Sequence, residues 1–210
     1  MSAAAPLPER PEPATRSTYH HGDLRNALLA AGSEVAREVG SEELSLREVA
    51  RRAGVSHTAA YNHFADKKDL LRGLAIVAFE QLAVELREAA ERDDGLEELA
   101  VAYLRFAMAH PAEFGFMFQR SLCMPDGVPD PLEEASRGSQ AVLAERVIQL
   151  QAAGVLRAEN PEIIGLALWS QIHGITTIVL DTPVFKSIPA EQAEGLARAC
   201  VEAIIVGLRA

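Results

Sequence analysis

Ser45-Leu-Arg-Glu-Val-Ala-Arg-Arg-Ala-Gly-Val-Ser-His-Thr-Ala-Ala-Tyr-Asn-His-Phe64 decides how this chain is read. Ser45 followed three residues later by Glu48 forms a capping box that opens a short helix. Gly54 stands where that helix must stop and the backbone needs a positive φ. Ser56 is a second N-cap, opening another short helix to about His63. Two helices this short are not stable alone, so they must pack closely on a neighbour. The residues facing that contact are small or apolar: Val49, Ala50, Ala53, Val55 and Ala60. Ala50 sits where the two helices cross, and a larger side chain there would force them apart. This pattern predicts a helix-turn-helix at residues 45–64, with its second helix shaped for the DNA major groove.

The polar residues of the motif fall outside its packing face. Ser56, His57, Thr58, Asn62 and His63 decorate the second helix. Asn reads adenine edges, and Ser, Thr and His contact base edges or phosphates. The Tyr61 hydroxyl is suited to phosphate, as are Ser45 and Arg47 with the free backbone N–H groups beside them. Lys67 and Lys68 open the next helix, where a cation opposes the macrodipole at a cost of about 0.3–1 kcal/mol. A bound phosphate would remove that conflict, although Asp66 and Asp69 also offset it, and the expectation falls mainly on Lys67.

Outward from the motif, the chain reads as helix throughout. A first helix runs from about Asp23 to Val39, with Leu24, Ala27, Leu28, Ala31, Val35 and Val39 on one face and Gly40 as its stop. A long helix follows from Asp66 to about Arg92, and Asp94 caps the next, which His110-Pro111 ends. A short helix rich in Phe and Met covers residues 111–122. Met124 to Pro131 is a loop, since it holds three prolines and a glycine. Helices over about 132–153, 161–180 and 189–208 complete the chain. Strand signals are lacking, so the fold class is all-α, with about nine helices. Residues 1–17, with four prolines, read as a disordered tail, 18–66 as the DNA-binding domain, and 67–210 as an effector-binding and dimerisation domain.

Composition agrees. The chain has 210 residues, 49% of them hydrophobic but only 5% aromatic, so its core is aliphatic. The net charge of −10 argues at first sight against DNA. Its distribution reverses that: residues 1–72 hold ten Lys+Arg and ten Asp+Glu, and the remainder holds ten and twenty. A polyanion is tolerated only at the N-terminal end. Cys123 and Cys200 are far apart and fit a reducing cytoplasm. No unbroken apolar run reaches the roughly 18 residues of a membrane span, and no secretory signal opens the chain. No metal site or cofactor motif is evident, and the P-loop, CxxC, HExxH and GxSxG signatures of enzymes are missing. The chain is read as not an enzyme; a small-molecule-binding helical enzyme and a dimeric interaction module without DNA binding remain the alternatives.

The run from Leu46 to Leu71, above all Tyr61 and Phe64 followed by Lys67 and Leu70-Leu71, resembles the DNA-binding region of the tetracycline-repressor family of regulators. Tyr19-His-His-Gly-Asp-Leu-Arg25, together with Trp169 and His173-Gly174, is similar to one branch, whose C-terminal domain is known for Trp, His and Gly. The resemblance implies an all-helical homodimer that binds double-stranded DNA with its first three helices and a small-molecule effector with the rest. It also implies phosphate contacts for Ser45, Tyr61 and Lys67. One departure matters: many members carry Thr or a bulkier residue where Ala59 and Ala60 stand, so readout from position 59 is limited to apolar contact with a thymine methyl.

Two further expectations concern the C-terminal half. The last two helices are apolar on more than one face, which predicts a two-fold four-helix interface between subunits or, failing that, a deep monomer core. Tyr103, Phe106, Phe114, Met117, Phe118, Trp169 and His173 are candidates to line a pocket for an apolar effector with one polar anchor, or simply to fill the core. The expected mechanism is a repressor on a pseudo-palindromic operator with its reading helices one DNA turn (~34 Å) apart. The long fourth helix is the lever that an effector moves.

Overall fold

The structure, a computed structural model, describes residues 21–92, 95–124, 128–185 and 187–209. Within them the chain is all-α. The helices are α1 (His21–Glu43), α2 (Leu46–Arg52), α3 (His57–Tyr61), α4 (Lys67–Arg92), α5 (Glu97–Ala109), α6 (Pro111–Met117), α7 (Pro131–Ala152), α8 (Pro161–Asp181) and α9 (Ala190–Leu208). A 3-10 turn, Arg120–Leu122, follows α6. The expected tail at 1–17, the Tyr19-His20 part of the N-terminal motif and the Asp94 cap lie outside the described residues.

Local chemistry places most boundaries. Ser45 Oγ accepts from the Glu48 amide at 3.2 Å, and Ser56 Oγ from the Ala59 amide at 3.1 Å, so both caps form as read. Gly54 has φ 69° and ends α2. Gly40, with φ 79° and ψ 167°, breaks the regular helix of α1 three residues before its end. At the start of α4, Asp66 Oδ1 accepts from the Asp69 amide at 2.8 Å while Asp69 Oδ2 accepts from the Ala65 amide at 3.0 Å. This reciprocal acidic cap is what offsets Lys67 and Lys68 against the helix dipole.

Three expectations are corrected. Val39 is 44% exposed rather than on the packing face. α3 stops at Tyr61, with Asn62 as its C-cap, instead of reaching His63. α6 ends at Met117, where Phe118 leaves helical geometry (φ −104°) and the chain tightens into the 3-10 turn.

α4 organises the molecule, packing on α1, α5, α6 and α7. Its buried face carries Leu70, Leu71, Leu74, Ala78, Phe79 and Leu82. Gly73 allows a close approach: a Cβ there would lie 3.0 Å from Leu29 Cδ2 and 3.1 Å from Phe64 Cε1. Phe64, 1% exposed, is thus gripped between α1 and α4, and the Arg25 guanidinium stands 5.1 Å from its ring centroid. Two arginines fasten α4 to α7 and the segment before it. Arg72 donates to Asp130 Oδ1 at 2.7 Å and to the Leu122 carbonyl, and Arg146 of α7 donates to the Ala90 carbonyl near the far end of α4.

α8 is long and apolar enough by length and composition to cross a membrane, with a mean hydropathy of 1.6 over its most apolar window. It packs on α5, α7 and α9, burying Ile164, Leu168, Ile172, Thr176 and Val179. Its other face leaves Ile163 64%, Leu166 61% and Ile178 44% exposed, and Val206 of α9 is 58% exposed.

Candidate nucleic-acid interface and effector cleft

α2, the turn at Gly54 and α3 present one polar surface. Only Ala60 of α3 is buried. Ser45, Arg47, Ser56, His57, Thr58 and Asn62 are exposed, Tyr61 is 50% exposed, and His63 and Lys67 are half-buried. The two capping serines use their oxygen lone pairs on backbone amides, which leaves each hydroxyl proton free to donate to an acceptor such as a phosphate oxygen.

The cations of this surface divide into two kinds. Arg51 holds Glu48 through two bonds of 2.9 and 2.5 Å, and Arg52 holds Glu38 through two of 2.8 and 2.6 Å. These arginines are already neutralised, and Arg52 ties α2 to α1. Arg47 and Lys68 are exposed and carry no ion pair among the described residues. Lys67 donates to the Glu42 carbonyl, so it fastens the start of α4 to the end of α1. An ammonium has three N–H groups, so two remain for an anion. The sequence pattern gave no sign of this tether.

In the C-terminal half, the structure brings together Tyr103, Phe114, Phe118, Trp169 and His173. The Trp169 and His173 rings stack at 5.1 Å, His173 meets Phe118 at 4.6 Å and Phe114 at 5.7 Å, and Tyr103 meets Phe114 edge-on at 5.6 Å. Tyr103 Oη lies 2.9 Å from His173 Nδ1, so the phenol and the imidazole share one hydrogen bond. Burial holds His173 below its ordinary value and pushes the Tyr103 phenol well above its own, the Trp169 indole N–H recovering part of the rise. Both groups are uncharged near neutral pH.

Phe106 is not part of this cluster. It is fully buried nearer α1, with its ring 4.9 Å from His110. Met117 and Phe118 instead form the floor of an adjacent cleft of about 610 Å³, whose walls include Phe79, Asp130, Leu132 and Ser136. Those four escaped the sequence reading, as did Cys123 and Met124 at the same cleft. They come from α4, from the segment leading into α7 and from the first turns of α7 itself, brought together only by tertiary packing. Asp130 is held by three donors at once: Arg72, the Met124 amide at 3.0 Å and the Leu132 amide at 2.9 Å. Burial raises its carboxyl, and these donors more than offset that, leaving it below the usual carboxylate range.

This fold and surface define a helix-turn-helix regulator class, and comparison with known proteins narrows it. Residues 28–74 match the model for bacterial regulatory proteins of the tetR family, and residues 96–204 match that for the tetracyclin repressor-like C-terminal domain. The chain belongs to the tetracycline-repressor family. It is 39% identical over 71 residues to an uncharacterized HTH-type transcriptional regulator of Haemophilus influenzae, covering 33% of this chain and 35% of that one. A second such regulator, from Mycobacterium tuberculosis, is 30% identical over 149 residues, covering 68% of this chain and 58% of its own. The chain thus matches well under two thirds of the length of these relatives. A solved protein of unknown function from Rhodococcus sp. RHA1 is 31% identical, covers 93% of this chain and 100% of its own, and superposes with a TM-score of 0.77.

Proposed function

We propose that this chain is a transcriptional repressor that binds a pseudo-palindromic DNA operator as a homodimer and is released by a small, largely apolar effector. The observation that carries the reading is the surface of α2 and α3, which buries Leu46, Val49, Ala50 and Ala60 and leaves the serine caps and the unpaired cation Arg47 exposed. In this reading α3 enters the major groove, with His57, Thr58, Asn62 and His63 toward base edges. Ser45, Arg47, Ser56, Tyr61 and Lys67 position the backbone through phosphate contacts.

Residues 18–66 serve as the DNA-binding domain and 67–210 as the effector and dimerisation domain. The exposed apolar faces of α8 and α9 supply the subunit interface, where two copies form a four-helix contact. The effector occupies the cleft beside the aromatic cluster, with Phe79, Met117 and Phe118 giving apolar contact and the His173 imidazole the polar anchor. Catalysis plays no part in this reading, and the site of action is the cytoplasm. The test is a gel shift on the DNA upstream of the protein's own gene. Specific, salt-sensitive retardation is expected; no shift on any duplex, with turnover of a small molecule instead, would overturn the reading.

A further inference from the structure

Glu113 is a buried carboxylate that the fold leaves half-satisfied. It lies on α6 with its side chain 7% exposed. Its Oε1 has one long contact, 3.4 Å, to Arg37 Nε of α1, and its Oε2 has no hydrogen-bond partner. The same Arg37 Nε donates to the Ser33 carbonyl at 3.3 Å. Both side chains border a small cavity of about 80 Å³ at the junction of α1, α4 and α6, together with Gln81 and His110. A carboxylate buried with one oxygen unpaired destabilises a fold relative to an apolar residue in the same place. A second arrangement of the junction would therefore be more favourable for this group. It is close at hand: the Arg37 side chain is 51% exposed, and a small rotation would present its fork to both oxygens of Glu113.

The junction joins α1, on which the DNA-binding motif packs through α2, to the helix that floors the cleft. Glu113 and Met117 stand four residues apart on α6, so one turn of helix separates the junction from the cleft. We propose that Arg37 and Glu113 form a two-position ionic latch, loose in the free protein and closed as a bidentate pair when the protein is on DNA. Closing fixes α1 against α6 and hence the setting of the reading helix relative to the body. A molecule bearing on Met117 draws Glu113 away and opens the pair, and by linkage the closed pair disfavours that molecule. The proposal rests on the DNA-binding reading above.

The test is a double-mutant cycle on the full chain with Arg37→Met, Glu113→Gln and both together, measured by fluorescence anisotropy on the upstream duplex. Each single change is expected to weaken binding about tenfold, and the double change by no more than either single one. The melting temperature of Glu113→Gln is expected to equal or exceed that of the parent, since a half-paired buried charge has been removed. Additive losses, or unchanged binding with a lowered melting temperature, would show a merely structural pair and overturn the latch. If the parent chain itself binds no duplex, the DNA-binding reading falls and the latch with it. If the parent binds and the cycle shows no coupling, only the latch falls.

Discussion

The Tyr103 hydroxyl stands 2.9 Å from Nδ1 of His173, joining α5 to α8 through the middle of the aromatic cluster. Tyr103→Phe leaves Nδ1 of the imidazole without its partner. A loss of about 1–3 kcal/mol is expected in urea unfolding, nearer the lower end because His173 is only half-buried. An unchanged midpoint would mean that water replaces the hydroxyl without cost.

His173 also sets a pH dependence. Burial holds its imidazole below the ordinary value of 6.5. The unfolded chain therefore takes up the proton first as pH falls, and stability declines below about pH 6.5 while being unaffected by this group above it. His173→Gln should flatten that decline when midpoints at about pH 7.5 and about pH 5.5 are compared. Equal slopes in parent and variant would exclude the effect.

Gly73 meets α1 and Phe64 so closely that an added methyl has nowhere to go. Alanine is worth up to about 1 kcal/mol over glycine in a helix. Overpacking against side chains that cannot yield costs about 1–3 kcal/mol. Leu29 is 5% and Phe64 1% exposed, so packing outweighs propensity. Gly73→Ala should lower the melting temperature, and a rise would show that α1 can retreat.

Arg72 and Asp130 form a pair with side chains 12% and 7% exposed. Asp130→Asn keeps an acceptor for α7 but leaves the guanidinium without its counter-charge, with the Leu122 carbonyl as its remaining ordinary partner. A loss of about 3 kcal/mol in chemical unfolding is expected. A loss under about 1 kcal/mol would place the pair effectively in solvent.

Tyr61→Phe combined with Lys67→Ala should weaken DNA binding on every sequence alike and make its salt dependence shallower, as expected when phosphate contacts are removed. Because Lys67 also tethers Glu42, the melting temperature must be recorded alongside. Unchanged binding would refute the assigned phosphate contacts.

What could be read from the sequence was local. The serine caps, the positive φ at Gly54 and the break at Gly40 depend on residues within one turn, and each formed where its chemistry stood. The five-member aromatic cluster was also legible, because Phe114 and Phe118, and Trp169 and His173, pair four apart on their helices. The partners across space were not. Lys67 reaches Glu42 across 25 residues and Arg72 reaches Asp130 across 58, and nothing in either neighbourhood announces the other. Phe106 misled for the same reason: though it stands three residues from Tyr103 on α5, its ring packs against His110 beside α1. Val39 misled because periodicity gives a face but not whether anything covers it.

α3 fully buries a single residue, Ala60, half-buries Ala59 and leaves His57, Thr58 and Tyr61 exposed. Stability and target preference are thereby held by different positions. Substitutions at His57, Thr58 or the C-cap Asn62 can accumulate without threatening the fold, so a duplicated copy of this chain is free to drift toward a new binding sequence while remaining as well folded as its parent.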